Sequence, residues 1–196
     1  MAGLEDEDDA FDHQLPVRLR VKSSLHFTPV AVARRAARLL APDPAMRVLD
    51  VGAGPGKFCV IAGREVPSCT FVGVEIRPHL VALARKLAAR AHVHNVSFVD
   101  GNALDLDWTS FQAFYFYNPF AEQLHDRSLT LDPRLALEPS RFLDYVTGVA
   151  QRLASARLGT RVVTYHSFGA PTPSGYELVE THPIGTDRLD LWIKRA

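Results

Sequence analysis

At 196 residues, with 22 basic and 22 acidic side chains and 47% hydrophobic residues, the chain has enough apolar material for one sizeable core and no net field to draw it to nucleic acid or a membrane surface. Cys59 and Cys69 stand in no pattern with other Cys or His of the kind a structural zinc site needs, and read as reduced core residues. No apolar run is long enough to span a bilayer and Met1–Ala10 is acidic rather than basic-then-apolar, so the expectation is a soluble cytoplasmic protein without a signal peptide.

Glu5, Asp6, Glu7, Asp8, Asp9 and Asp12 concentrate negative charge in residues 1–12, which predicts a self-repelling, disordered tail. From residue 13 a single domain is expected to run to residue 196, opening with a helical extension over 13–44. Its arginines and lysine, Arg18, Arg20, Lys22, Arg34, Arg35 and Arg38, stand against no acid up to Leu40. They read as a solvated helix face, with pairing to the acidic block or a stripe for an anionic substrate as the alternatives. Thr28 before Pro29 predicts a helix start with the hydroxyl as cap, and Ala41-Pro-Asp-Pro44 ends that helix.

Strand and helix signals then alternate. Val48–Val51 reads as a buried strand, Lys57 to about Val66 as a helix, Thr70–Glu75 as a strand, and a helix with Leu80, Leu83, Leu87 and Ala91 on one face starts near Pro78. Asn95–Asp100 and the doubly aromatic Phe111–Tyr117 are strands, the latter central. Ala121–Pro139 predicts a loop with one short helix, Phe142, Val146, Val149 and Leu153 mark a helix, and Arg161–Ser167 a fifth strand. Tyr176–Thr181 and Arg188–Lys194 have no helix between them and should form a hairpin. The fold class expected is α/β, a doubly wound, mostly parallel sheet with an antiparallel C-terminal hairpin and helices on both faces. His92 and His94 lie at strand spacing without a third ligand nearby, so no metal site is expected.

The chemistry concentrates at Val48-Leu-Asp-Val-Gly-Ala-Gly-Pro-Gly-Lys-Phe58, a buried strand running into a glycine turn. A phosphate-binding P-loop needs Gly at 51 and Ser or Thr at 58, where Val51 and Phe58 stand, and a dinucleotide loop needs a glycine at 57, where Lys57 stands. What remains is G-x-G-x-G preceded by Asp50. In this the chain resembles the class I S-adenosylmethionine-dependent methyltransferases, over roughly residues 28 to 196, which implies a Rossmann-like fold. The resemblance implies that Asp50, Gly52, Ala53, Gly54 and Gly56 hold the methionine end of S-adenosylmethionine. It implies further that Glu75, with Ile76 beside it, accepts the ribose hydroxyls, and that Gly101, Asn102 and Ala103 border the adenine. Asp100 is the other candidate for the adenine contact, and an Asp-Gly-Asn turn the structural alternative. His26-Phe27-Thr28 is expected across the cofactor mouth.

Asn118-Pro119-Phe120, after the fourth strand, is similar to the Asn-Pro-Pro-aromatic motif of methyltransferases acting on amino nitrogens, with the second proline missing. It implies catalytic roles for Asn118, Pro119 and Phe120. Tyr115, Tyr117 and His166 are further candidates for a base, against core or strand-capping roles. The wording Phe114-Tyr-Phe-Tyr-Asn-Pro-Phe120 is similar to small bacterial relatives of the non-SET histone lysine methyltransferases. The acceptor is therefore expected to be a protein lysine or a small molecule ahead of nucleic acid. A non-catalytic cofactor-binding module is the alternative, and an NAD-dependent oxidoreductase is disfavoured by Lys57.

Overall fold

A computed structural model describes residues 2–120, 130–132 and 139–196; the loop expected over Ala121–Pro139 lies almost entirely outside them. Within the described residues a seven-stranded sheet runs β3-β2-β1-β4-β5-β7-β6. Its members are β1 (Arg47–Val51), β2 (Thr70–Glu75), β3 (Val96–Asp100), β4 (Ala113–Tyr117), β5 (Arg161–Tyr165), β6 (Tyr176–Ile184) and β7 (Asp187–Lys194). The first five pair in parallel, and β7 pairs antiparallel with both β5 and β6. The fold is thus the doubly wound sheet with the terminal hairpin that the alternation predicts. Strand order reverses between β1 and β4, and that switch point opens a crevice at the carboxyl ends of the strands.

One face of the sheet is covered by α4 (Val30–Leu40), α5 (Lys57–Glu65) and α6 (Pro78–Arg90), whose Ala33, Ala36, Val60, Leu80 and Leu87 pack on Val48, Phe71 and Tyr115. The other is covered by α7 (Pro139–Ala154), where Val146, Val149 and Leu153 pack on Phe114, Phe116 and Val162 together with Trp108. The two-sided aromatic pattern of β4 has its cause here: Phe114 and Phe116 face α7, Tyr115 faces α5. No helix among the described residues is long and apolar enough to cross a membrane.

The N-terminal region departs most from expectation. The acidic segment is helical, α1 (Ala2–Asp12), followed by the short helices α2 (Val17–Arg20) and α3 (Ser23–His26). Composition predicts disorder because isolated acids repel, but Arg34 takes both oxygens of Glu7 at 2.6 and 2.9 Å, and Phe11 and Leu15 are buried. The acidic and basic blocks pair. Arg34 and Arg38 also reach Glu65. The expected cap is corrected as well: α4 starts at Val30, and its first N–H donates to Oδ1 of Asp8 at 3.0 Å, while Thr28 is buried with its hydroxyl 3.0 Å from the Tyr115 hydroxyl. An acid supplied by another helix does what a local Ser or Thr usually does.

Gly56 joins β1 to α5 with φ of +80°, and a Cβ there would lie 2.7 Å from the Phe98 ring and 2.8 Å from the Ala84 methyl. Gly56→Ala is therefore expected to destabilise the protein by about 2–4 kcal/mol through left-handed backbone and overpacking, read as a lower urea midpoint at unchanged m.

Candidate functional site

The glycine turn is held mainly by β2, with one hydrogen bond of its own. The N–H groups of Gly52 and Ala53 both donate to the Val74 carbonyl at 3.0 Å, and that of Gly56 to the Ala53 carbonyl at 2.9 Å. Only the Gly54 N–H reaches sideways, donating to Oε2 of Glu75 at 3.0 Å. A loop with its donors spent internally makes a poor cradle for phosphate. At Gly52 (φ +80°) a Cβ would stand 3.0 Å from Cβ of Pro119, so glycine lets the turn after β1 and the turn after β4 close on each other.

Between those turns lies a cleft lined by Gly52, Gly54, Glu75, Ile76, Gly101, Asn102, Ala103, Asn118, Pro119 and Phe120. Ten residues singled out from the sequence thus meet at one place, contributed by the ends of β1 to β4. Asp50 and Ala53 sit behind them, lining a small adjoining cavity with Thr28, Lys57, Phe58 and Tyr115. Gly56 borders neither, and its position is structural. His26 and Phe27 line both spaces, as the expectation of a segment across the mouth requires.

Asp50 is 4% exposed, and burial, with repulsion from Glu75 added, pushes its carboxyl up to about 7 against the pull of a thiol hydrogen bond from Cys59 at 3.4 Å. Among the described residues it has no ion pair. Glu75 is equally buried, and its Oε1 accepts from the backbone N–H and the guanidinium of Arg77, each at 3.0 Å. Three donors on a carboxylate with about four acceptor positions leave it aimed and still able to accept. Asn102 uses its Oδ1 to accept from the Leu104 N–H at 3.0 Å, capping a 3-10 turn, so the structural alternative accounts for half of its amide. Asp100 is exposed and outside the cleft lining.

On the other wall Asn118 has φ of +43° and donates its backbone N–H to the Ser167 carbonyl at 3.1 Å; His166 and Ser167 are left-handed too. Three non-glycine residues in that region, at the carboxyl ends of adjacent strands, store strain of about 1 kcal/mol or more each. Phe120 stacks on Tyr145 from α7, centroids 5.0 Å apart and planes 7° from parallel. Tyr145, with Arg77, Leu131 and Arg141, also lines the cleft and escapes sequence reasoning. Nothing local distinguishes an aromatic on a helix from a core residue.

The base candidates separate. Tyr115 is buried, and burial drives its phenol well above its ordinary value. Tyr117 lines the cleft but donates to the Leu25 carbonyl at 3.2 Å and is pushed up to about 12 by burial, with Tyr165 and Asp187 adding to it. His166 stands outside the cleft lining, its Nδ1 3.3 Å from Oδ1 of Asp187 and its ring stacked on Tyr117 at 5.5 Å.

Residues 42–123, which contain the turn, Glu75 and Asn118-Pro119-Phe120, match the family model for a methyltransferase domain. Over 97 residues the chain is 31% identical to the release factor glutamine methyltransferase of Vibrio cholerae, covering 48% of this chain and 32% of that protein. Over 108 residues it is 30% identical to the tRNA (guanine-N(7)-)-methyltransferase of Microcystis aeruginosa, covering 48% and 50%. The chain thus spans a third to a half of the length of these relatives. In fold, the chain resembles an RNA methyltransferase from Salinibacter ruber solved with S-adenosyl-L-homocysteine, with a TM-score of 0.62, 24% identity and coverage of 86% and 93%. TrmN from Thermus thermophilus matches with a TM-score of 0.63 at 20% identity, covering 88% of this chain and 51% of that one.

Proposed function

We propose that the chain is an S-adenosylmethionine-dependent methyltransferase that methylates a nitrogen of a protein or small-molecule acceptor. The observation that carries this reading is the single cleft in which the glycine turn, Glu75 and Asn102 face Asn118-Pro119-Phe120 across the switch point of the sheet.

The donor set fits the cofactor. Asp50 is a buried carboxylate with no ion pair among the described residues, suited to an ammonium group. Glu75 suits a pair of hydroxyls, exposed Ile76 and buried Ala103 an aromatic base, and the turn is closed to phosphate. Bound S-adenosylmethionine supplies a methyl group activated by a sulfonium.

The remaining chemistry belongs to the chain. The Asn118 side-chain oxygen and a neighbouring backbone carbonyl accept hydrogen bonds from the acceptor nitrogen and so aim its lone pair along the line of displacement. As the C–N bond forms and the C–S bond breaks, positive charge moves onto the nitrogen, and the stacked Phe120–Tyr145 pair offers it an aromatic face. Left-handed Asn118, braced by Ser167, keeps those acceptors fixed before substrate arrives. Of the base candidates, His166 is the one with a carboxylate beside it, Oδ1 of Asp187 at 3.3 Å from its Nδ1.

Calorimetry with S-adenosylhomocysteine tests the cofactor, with binding in the micromolar range expected; binding of NADH instead would overturn the reading. Radiolabelled methyl transfer into lysates, peptide libraries, release factors and tRNA tests the acceptor, since relatives named for a protein and for a tRNA both match this domain. Label on protein or small molecule supports the nitrogen reading. Label on RNA moves the acceptor class, and binding without transfer makes the chain a cofactor-binding module.

A further inference from the structure

Lys57 is the residue that breaks the dinucleotide pattern, and the proposed reaction leaves it unused. It occupies the first turn of α5, where a cation meets the positive end of the helix dipole, and it is 2% exposed. Burial of an ammonium at such a place is tolerable only against anions. Both anions come from α1: Nζ lies 2.7 Å from Oδ1 of Asp8 and 2.9 Å from Oδ1 of Asp12, with the Phe11 ring centroid at 5.6 Å. Asp8 in turn caps α4 and Glu7 clasps Arg34, so α1 is bound to the domain by three separate contacts. On its other side Lys57 borders the small cavity of about 20 Å³ that Asp50 also lines. Two charges that would attract each other share that cavity, yet the lysine is paired away from it.

We infer that α1 is a working part of the cofactor site: Asp8 and Asp12 hold the Lys57 ammonium away from Asp50, so that the Asp50 carboxylate stays open to the ammonium group of the bound nucleoside. The inference rests on the cofactor reading above. Without the two acids, the flexible four-carbon stem of Lys57 lets its ammonium turn toward Asp50, the anion across the cavity, and the protein's own cation then competes with the ligand's. Asp8 and Asp12 are thus positioning residues that act through Lys57. What composition marks as a disordered tail sets the affinity of a site that it does not line.

The test is calorimetric titration of S-adenosylhomocysteine into the full chain at pH 8, in wild type, in D8N/D12N and in D8N/D12N/K57M, with circular dichroism melts of each. The double variant is expected to bind about tenfold more weakly or worse, and the triple variant, which has lost the competing cation, within about threefold of wild type. A merely structural role for α1 predicts that the triple variant stays as weak as the double, and that result overturns the inference. Unchanged binding in D8N/D12N overturns it too, as does tighter binding, which would show Lys57 serving the ligand. If the double variant does not fold, D8N and D8N/K57M carry the same comparison, with a partial loss and its reversal expected. Failure of wild type to bind removes the cofactor reading itself, whereas wild-type binding with no loss or no rescue removes the role of α1 alone.

Discussion

Asp50→Asn is expected to make the unliganded protein more stable above pH 7 and to cost it the cofactor. The sign follows from burial. An unfolded aspartate titrates near about 4, while in the fold desolvation, with Glu75 adding to it, pushes Asp50 up to about 7. Between those values the folded chain binds the extra proton, so stability falls as pH rises through the window, and the loss is complete once Asp50 is ionised in both states. Asparagine has the same shape and no charge to desolvate. The variant and wild type should melt together near pH 4 and diverge with rising pH, to a gap of roughly 2–4 kcal/mol, or roughly 5–10 °C in a chain of this size.

Cofactor affinity moves the other way. The carboxylate that is costly to bury is the one that answers a ligand ammonium, and removing one partner of a buried charge pair costs about 2–5 kcal/mol, so Asp50→Asn should weaken S-adenosylhomocysteine binding by about 100-fold or more. In wild type the affinity should also decline as pH drops below about 7, and the variant should lack that step. Paired melts and titrations at pH 5, 6, 7 and 8 read both effects. Equal melting temperatures at pH 8 would show that Asp50 is solvated or paired in the folded state.

The second large effect concerns transfer. Asn118→Ala should lower the turnover rate by about 100- to 1,000-fold while S-adenosylhomocysteine affinity stays within about threefold, because the side chain is assigned to aiming the acceptor nitrogen and not to holding the cofactor. Alanine at φ of +43° brings backbone strain of its own. Asn118→Gly, which adopts that conformation freely, separates the two causes. If the glycine variant keeps wild-type turnover, the amide has no part in the reaction and Asn118 serves only the turn. If both variants lose cofactor affinity along with turnover, the wall between Gly52 and Pro119 has shifted, and the residue is structural.

These two positions were legible before the fold for the same reason. Asp50 stands two positions before Gly52, and Asn118 directly after the aromatic strand β4; in an open α/β sheet both chain positions are strand ends, and strand ends face the crevice. Glu75 and the Gly101-Asn102-Ala103 turn follow from the same geometry. The segment Ala2–Asp12 went the other way. Its own composition predicts disorder, and it orders because Arg34, Lys57 and the free end of α4 are brought against it by residues at least 20 positions along the chain.

The sequence by itself determined the alternation of strands and helices from α4 onward among the described residues, the hairpin that closes the sheet and the kind of turn that follows β1. Hydrophobic period and proline and glycine restrictions are properties of a few adjacent residues, and they act whether or not the rest of the chain is in place. Only the tertiary structure decided which charges meet. It sends Lys57 to Asp8 and Asp12, caps α4 with Asp8 in place of Thr28, turns part of Asn102 to its own loop and stacks Tyr145 on Phe120. Pairings of this kind depend on distances set by the packed sheet and on the loss of water around each charge, and neither exists until the core has formed.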